Sequence, residues 1–211
     1  MWFGLAACAV NLDFIEIGTS NFDTLLQRHA GLGLSVEALS LYLDDLPNNP
    51  NVTKVNVAII DDALVDAQPV VPFFYVHPKN ITKYRLPWWL KGCNTAFSPH
   101  NEAIHYLRKR QLPELMEEVM TPTSSYRRLV ERYSVESVEL LKLDMEGFEV
   151  PVLNEVLSIC QTTQNCPSTI IYESKHMMRR NMSQYTHMLV LLNKVYACKG
   201  RRSSQTNDAS D

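Results

Sequence analysis

The sequence predicts an α/β domain: a mainly parallel, twisted sheet with helices on both faces. Three observations predict it. Short apolar runs alternate with helix-period patterns along the chain, as in βαβ units. Carboxylates stand where apolar runs end, at Glu16 before Gly18 and at Asp144-Met145-Glu146 after Leu140–Leu143. The 211 residues, 45% hydrophobic and 20% charged, are ordinary globular composition for one sizeable core.

Taken in order, Asp13 to Gly18 reads as a compact first strand ending in a turn. Ser20-Asn21-Phe22-Asp23 supplies capping residues for a helix carrying Leu25 and Leu26, and Gly31 and Gly33 stop it. Leu34-Ser35-Val36-Glu37 is the second strand. A helix through Leu39, Leu41 and Leu43 runs until Pro47-Asn48-Asn49-Pro50 breaks it. Val52 to Ile60 is one continuous third strand, with Val55, Val57 and Ile59 on one face, and Asp61-Asp62 turns the chain. Val70 to Val76 is an added hairpin strand that Pro72 confines to an edge. Pro78 to Pro99 is an irregular loop, long enough to be either functional or disordered. Helices are predicted over Asn101–Arg110 and Ser124–Tyr133, and a strand over Val138–Leu143. A helix near Val150 tolerates Pro151 in its first turn. Ser168–Tyr172 is a strand and Gln184–Lys194 a helix; Val195-Tyr196-Ala197-Cys198 offers a sixth strand, and no seventh follows. The domain is therefore placed at residues 1–198, with 199–211 a polar, disordered tail.

A formal charge of −3 and a pI near 6.1 argue against a broad nucleic-acid surface. Arg108-Lys109-Arg110 reads as a solvated helix face. No apolar run reaches the length of a membrane span. The apolar start, Met1 to Val10, lacks a basic leader and runs into the first core strand, so no cleaved signal is expected. The three sequons beginning at Asn51, Asn80 and Asn181 leave the compartment open, with the cytoplasm slightly favoured. The five cysteines show no C-x-x-C spacing. Cys160 and Cys166 flank a polar loop that a bridge could close, but free thiols are expected. No metal is expected either, because the six histidines form no ligand set; His100 and His105 read as structural or exposed.

The strand–turn–helix Phe14-Ile15-Glu16-Ile17-Gly18-Thr19-Ser20-Asn21 presents free backbone N–H groups that favour an anionic group. Glu37 lies about twenty residues on, where a carboxylate can accept both ribose hydroxyls. Ser20 and Asp23 replace the second and third glycines of a dinucleotide fingerprint, so a nucleoside with a smaller anionic group fits better. At the far strand, Asp144 and Glu146 can both face a pocket, Gly147 permits a tight turn, and Glu149 reads as a helix-dipole acid.

Leu141-Lys142-Leu143-Asp144-Met145-Glu146-Gly147-Phe148-Glu149 resembles the signature of the FkbM family: Lys, apolar, Asp, any residue, Glu-Gly, any residue, Glu. The companion pieces arrive in family order: Phe14–Asn21, Val36-Glu37-Ala38, Asn56-Val57-Ala58 and Ile170-Ile171-Tyr172-Glu173. The resemblance runs from about Asp13 to about Tyr196. It implies a Rossmann-like class I methyltransferase fold and S-adenosylmethionine as cofactor. It further implies O-methylation of a hydroxyl on a small-molecule or carbohydrate-like acceptor.

By the same resemblance, Glu16, Gly18 and Ser20 border the methionine part of the cofactor, with Thr19 and Asn21 beside them. Glu37 and Ala38 lie at the ribose, and Asn56 or Ala58 lies near the adenine. Asp144 is the first candidate for the group that accepts or orients the acceptor's proton, Glu146 the second, and Glu173 or His176 stands behind them. Leu86 to Asn94, with Trp88 and Trp89, is a candidate acceptor lid or else packing over a sheet edge. The competing reading is a non-catalytic ligand-binding or interaction module of the same fold. A nicotinamide-dependent oxidoreductase ranks last, since it leaves the Asp-Met-Glu-Gly run unexplained.

Overall fold

The computed structural model describes residues 9–19, 24–28, 31–146, 148–163, 166–173 and 182–196. Five parallel strands form the main sheet in the order β3-β2-β1-β8-β9. These are β1 (Val10–Ile17), β2 (Gly33–Glu37), β3 (Val52–Asn56), β8 (Val135–Leu143) and β9 (Thr169–Tyr172). The chain builds outward from β1 to β3, then returns to the other side of β1 with β8. The strand order thus reverses between β1 and β8, where ligands bind in open α/β sheets.

Helices cover both faces of the sheet at its centre, where β1 and β2 are most deeply buried. On one face, Phe14 and Val52 pack with Leu25 and Leu26 of α1 (Leu25–Arg28) and Leu43 of α2 (Ser40–Asp45). On the other, Ile15, Ile17, Val36, Leu141 and Leu143 meet three helices. These are α6 (Tyr126–Arg132), α7 (Glu149–Thr163) and α8 (Met182–Tyr196). Leu153 and Leu157 of α7 and Met188 and Leu192 of α8 complete that core. The fold is the Rossmann-like α/β architecture the sequence predicts.

The third strand is shorter than predicted. The ladder with β2 ends at Asn56, with the Val57 N–H donating to the carbonyl of Glu37 at 3.1 Å as its last bond. Ala58–Ile59 forms β4 in a second sheet, ordered β4-β7-β5-β6. Its other members are β5 (Val70–Val76), β6 (Thr95–Ala96) and β7 (Met116–Ser124), the last of which the sequence did not announce.

The edge assignment of Val70–Val76 is also corrected, since β5 sits between β7 and β6. Pro72 is tolerated because its carbonyl accepts the N–H of Phe97 at 2.9 Å, so its nitrogen faces the same side. On that side β6 pairs only Phe73 and Phe74, and no ladder bond to β7 is lost. Pro78 to Pro99 is not an irregular loop. It holds α4 (Pro78–Lys83), a 3-10 turn (Trp88–Gly92) and β6, and α5 (Asn101–Lys109) follows. These pieces bury Ile81, Leu90, Cys93, Ala103 and Leu107 in a small core of their own with Val76.

At the C-terminal end, Val195 and Tyr196 close α8 rather than starting a sixth strand. Ala197, Cys198 and the tail lie outside the described residues. Cys160 and Cys166 are joined in a disulfide, contrary to the expected free thiols, and Tyr196 donates its hydroxyl to the carbonyl of Pro167 at 2.7 Å beside it. No helix among the described residues is long and apolar enough to cross a membrane.

Candidate active site

The C-terminal ends of β1, β2 and β8 and the start of the second sheet border a cleft open to solvent. Gly18, Glu37, Ala38, Ala58, Asp144 and Glu146 line it, so six of the predicted site residues come together.

Gly18 shows why the chain needs a glycine at the reversal point. Its φ is +83°, and a Cβ there would run into the carbonyl of Asp144. The Gly18 N–H donates to Val36 at 2.9 Å and the Asp144 N–H to Ile17 at 3.0 Å, so the ends of β2, β1 and β8 are laced together. The missing side chain lets the acidic loop after β8 approach the turn after β1.

Glu16 lies elsewhere. It alternates away from the cleft, is 0% exposed, and sits opposite Lys142 in the β1–β8 register. One carboxylate oxygen accepts from Lys142 Nζ at 2.8 Å and the other from the N–H of Leu25 at 2.9 Å, the first residue of α1. Burial raises its pKa, and the lysine pulls against that shift. Its observed work is to pin α1 to the sheet. Thr19 is buried beside Gly18 but is not part of the cleft lining. Ser20, Asn21 and His176 lie outside the described residues.

Glu37 ends β2 and lines the cleft, with Oε1 held by the N–H of Leu39 at 2.9 Å. Asn56 does not line the cleft. It stands opposite Glu37 in the β2–β3 register, and its amide donates to the carbonyls of Glu37 and Ala38 at 2.9 Å each. Thr121 of β7 donates to the same Ala38 carbonyl at 3.2 Å. Asn56 therefore shapes the acidic turn from behind.

Asp144 and Glu146 are joined by Glu173 at the end of β9. One oxygen from each of the three carboxylates lies within 4.8 Å of the others. Such a trio has the donors to hold a hard cation or to accept from several hydroxyl groups. It is the candidate cation site among the described residues, although the sequence expected no metal. Glu146 occupies the left-handed region at φ +53°, which turns it toward the cleft beside Gly92. Glu149, the predicted helix-dipole acid, sits in the first turn of α7 and accepts the N–H of Met145 at 2.8 Å, steadying the same loop.

The sequence missed the opposite wall: Phe73 of β5 and Ala96 of β6. No motif marks them, because they reach the cleft only through the antiparallel second sheet. The segment from Leu86 to Asn94 does border the cleft, through Gly92 and Asn94 rather than its indoles. Trp88 lies over the Lys91 ammonium, 5.0 Å from its ring centre, and Trp89 packs edge-on to Tyr106 at 5.6 Å. Cys93 is buried, and burial pushes its thiol up to about 12, so it is no nucleophile. His100 occupies the N-cap position of α5, away from the cleft lining.

Comparison with curated proteins and with solved structures yields no significant match. The family description "Methyltransferase FkbM domain" matches residues 6–199, which takes in both sheets and every wall of the cleft. With its strand reversal at Gly18 and its acidic loop after β8, the chain belongs to the FkbM methyltransferase family.

Proposed function

We propose that this methyltransferase transfers a methyl group from S-adenosylmethionine to a hydroxyl of a small-molecule or carbohydrate-like acceptor. The observation that carries the reading is the cleft at the strand reversal, lined by Glu37, Asp144 and Glu146, with the Glu173 carboxylate within 4.8 Å of the last two. The residues present fit the cofactor. Glu37 offers a carboxylate for ribose hydroxyls, and Ala38, Ala58, Ile59 and Phe73 leave an apolar slot for a flat base. Asn56 enters this picture as the brace of the Glu37 turn. Glu16 enters as the residue that positions α1, and Thr19, Ser20 and Asn21 as candidates beside the methionine part of the cofactor.

The cofactor supplies an electrophilic methyl on a sulfonium, and the displacement is in line. The protein therefore needs to align the acceptor oxygen and keep water out. Asp144 accepts the proton released from that oxygen as the carbon–oxygen bond forms. Glu146 and Glu173 orient the remaining hydroxyls.

Calorimetric titration of the full chain with S-adenosylhomocysteine tests the cofactor half. Wild type binds, Glu37→Ala loses about 10–100-fold, matching hydrogen bonds to a charged group worth roughly 1.5–3 kcal/mol, and Asp144→Asn binds as wild type. In a tritiated-methyl transfer assay Asp144→Asn lowers kcat about 10²–10⁴-fold, the usual range for a lost general base. A folded wild-type chain that binds no S-adenosylhomocysteine would sink the proposal and leave the non-catalytic module.

A further inference from the structure

Phe97 is a bulky residue in a conformation that bulky residues avoid. Its φ is +67°, in the left-handed region. The N–H of Ser98 donates to the carbonyl of Ala96 at 2.8 Å, two residues back, so Phe97 is the central residue of a tight γ-turn. Two further bonds hold the turn. The Phe97 N–H donates to Pro72 at 2.9 Å, and the Thr95 hydroxyl donates to the Ser98 carbonyl at 2.7 Å. Glycine would adopt this turn without strain.

The strain sets the Phe97 ring beside the cleft. It lies 5.8 Å from the ring of Phe148, tilted by 39°, within the range of a favourable aromatic pair. Phe148 and Ala96 line the cleft, while Phe97 is outside the inner lining and 38% exposed. The pair therefore stands beside the cleft and bridges the turn after β6 to the loop that carries Glu146. Strained residues that persist at the rim of a site are a recognised mark of pre-organisation.

We propose that Phe97, through this turn, is a specificity-determining residue for the acceptor. Together with Phe148 it forms an apolar platform for the C–H face of a hydroxylated ring, whose hydroxyls the Asp144, Glu146 and Glu173 carboxylates receive. A flat apolar face ringed by hydroxyl donors matches aromatic rings on one side and acids on the other; an acyclic polyol has no such face. The proposal rests on the methyltransferase reading above and adds the residue that selects the acceptor's shape.

Saturation-transfer NMR on the full chain tests it, with methyl pyranosides of glucose, galactose, mannose and rhamnose as probes and sorbitol as the acyclic control. Each is measured with and without S-adenosylhomocysteine, so failure of the cofactor reading leaves the Phe97 result readable. Wild type transfers saturation to the ring C–H protons of at least one pyranoside and not to sorbitol. Phe97→Ala and Phe97→Gly reduce that transfer by about threefold or more, with affinity for S-adenosylhomocysteine unchanged within about twofold. Phe97→Trp restores it. Phe97→Gly also relieves the turn, so a melting temperature near that of wild type separates loss of the platform from loss of the fold. Equal transfer in Phe97→Ala and wild type overturns the proposal, as does a wild-type chain that recognises no pyranoside or prefers sorbitol.

Discussion

Replacing Gly18 with alanine tests the geometry at the strand reversal most directly. Two costs follow from the structure. At φ +83° an added side chain meets the left-handed penalty of roughly 1–2 kcal/mol. The new Cβ also displaces the Asp144 carbonyl, which weakens the bond from the Asp144 N–H to Ile17, worth about 1 kcal/mol. Together these destabilise the chain by about 2–3 kcal/mol, which for a domain of this size lowers the melting temperature by roughly 5–10 °C. Because the displaced atom belongs to the cleft wall, affinity for S-adenosylhomocysteine falls by about tenfold or more. Scanning calorimetry and titration calorimetry on one preparation read both effects. A variant that melts within about 2 °C of wild type and binds equally well would refute the claim that this glycine sets the spacing of β1 and β8.

Three further outcomes are expected. Burial raises the Glu16 pKa above its ordinary 4.5, so the stability this group contributes is full below 4.5 and is lost as pH rises through the folded value. Urea melts should therefore show wild type losing ground to Glu16→Gln as the pH rises above 4.5; a trend of the opposite sign contradicts the assignment. Asn56→Ala removes two bonds to the Glu37 and Ala38 carbonyls and should cost about 2 kcal/mol by denaturant melts, with weaker S-adenosylhomocysteine binding. Equal affinity would mean that the brace does not govern the Glu37 turn. Replacing Cys160 and Cys166 together with serine opens a short loop of sequence separation 6 and should cost about 2 kcal/mol, read by melting against wild type under non-reducing conditions. Identical melting would show that the bridge adds nothing to the docking of α7 against β9.

The main sheet was legible because its central strands β1 and β2 are largely buried and read as apolar runs closed by a glycine or an acid. Glu37, Gly18 and Asp144 were legible for a related reason: strand ends at a reversal point are where such sheets put their chemistry. What misled the reading was alternation without context. Val55, Val57 and Ile59 are all buried and look like one strand, yet the chain changes sheets at Val57. Met116–Ser124 escaped notice because it is mostly solvated and polar, so its place is set by pairing with β5 rather than by its own pattern. Glu16 and Asn56 were drawn to the ligand by their chemistry, although their partners are Lys142, Leu25 and two backbone carbonyls, which no spacing rule reveals.

The change of sheets at Val57 has an evolutionary reading. Glu37, Gly18 and Asp144 hang from parallel strands whose register fixes them to one another, so they tolerate little drift. Phe73, Ala96 and Phe97 hang from an antiparallel flap joined to that frame through the two-residue strand β4. A lineage can therefore lengthen, shorten or repaint the flap while the parallel frame keeps its shape. Selection for new acceptors would leave its record in residues 70–124, and the frame would preserve the ancestry.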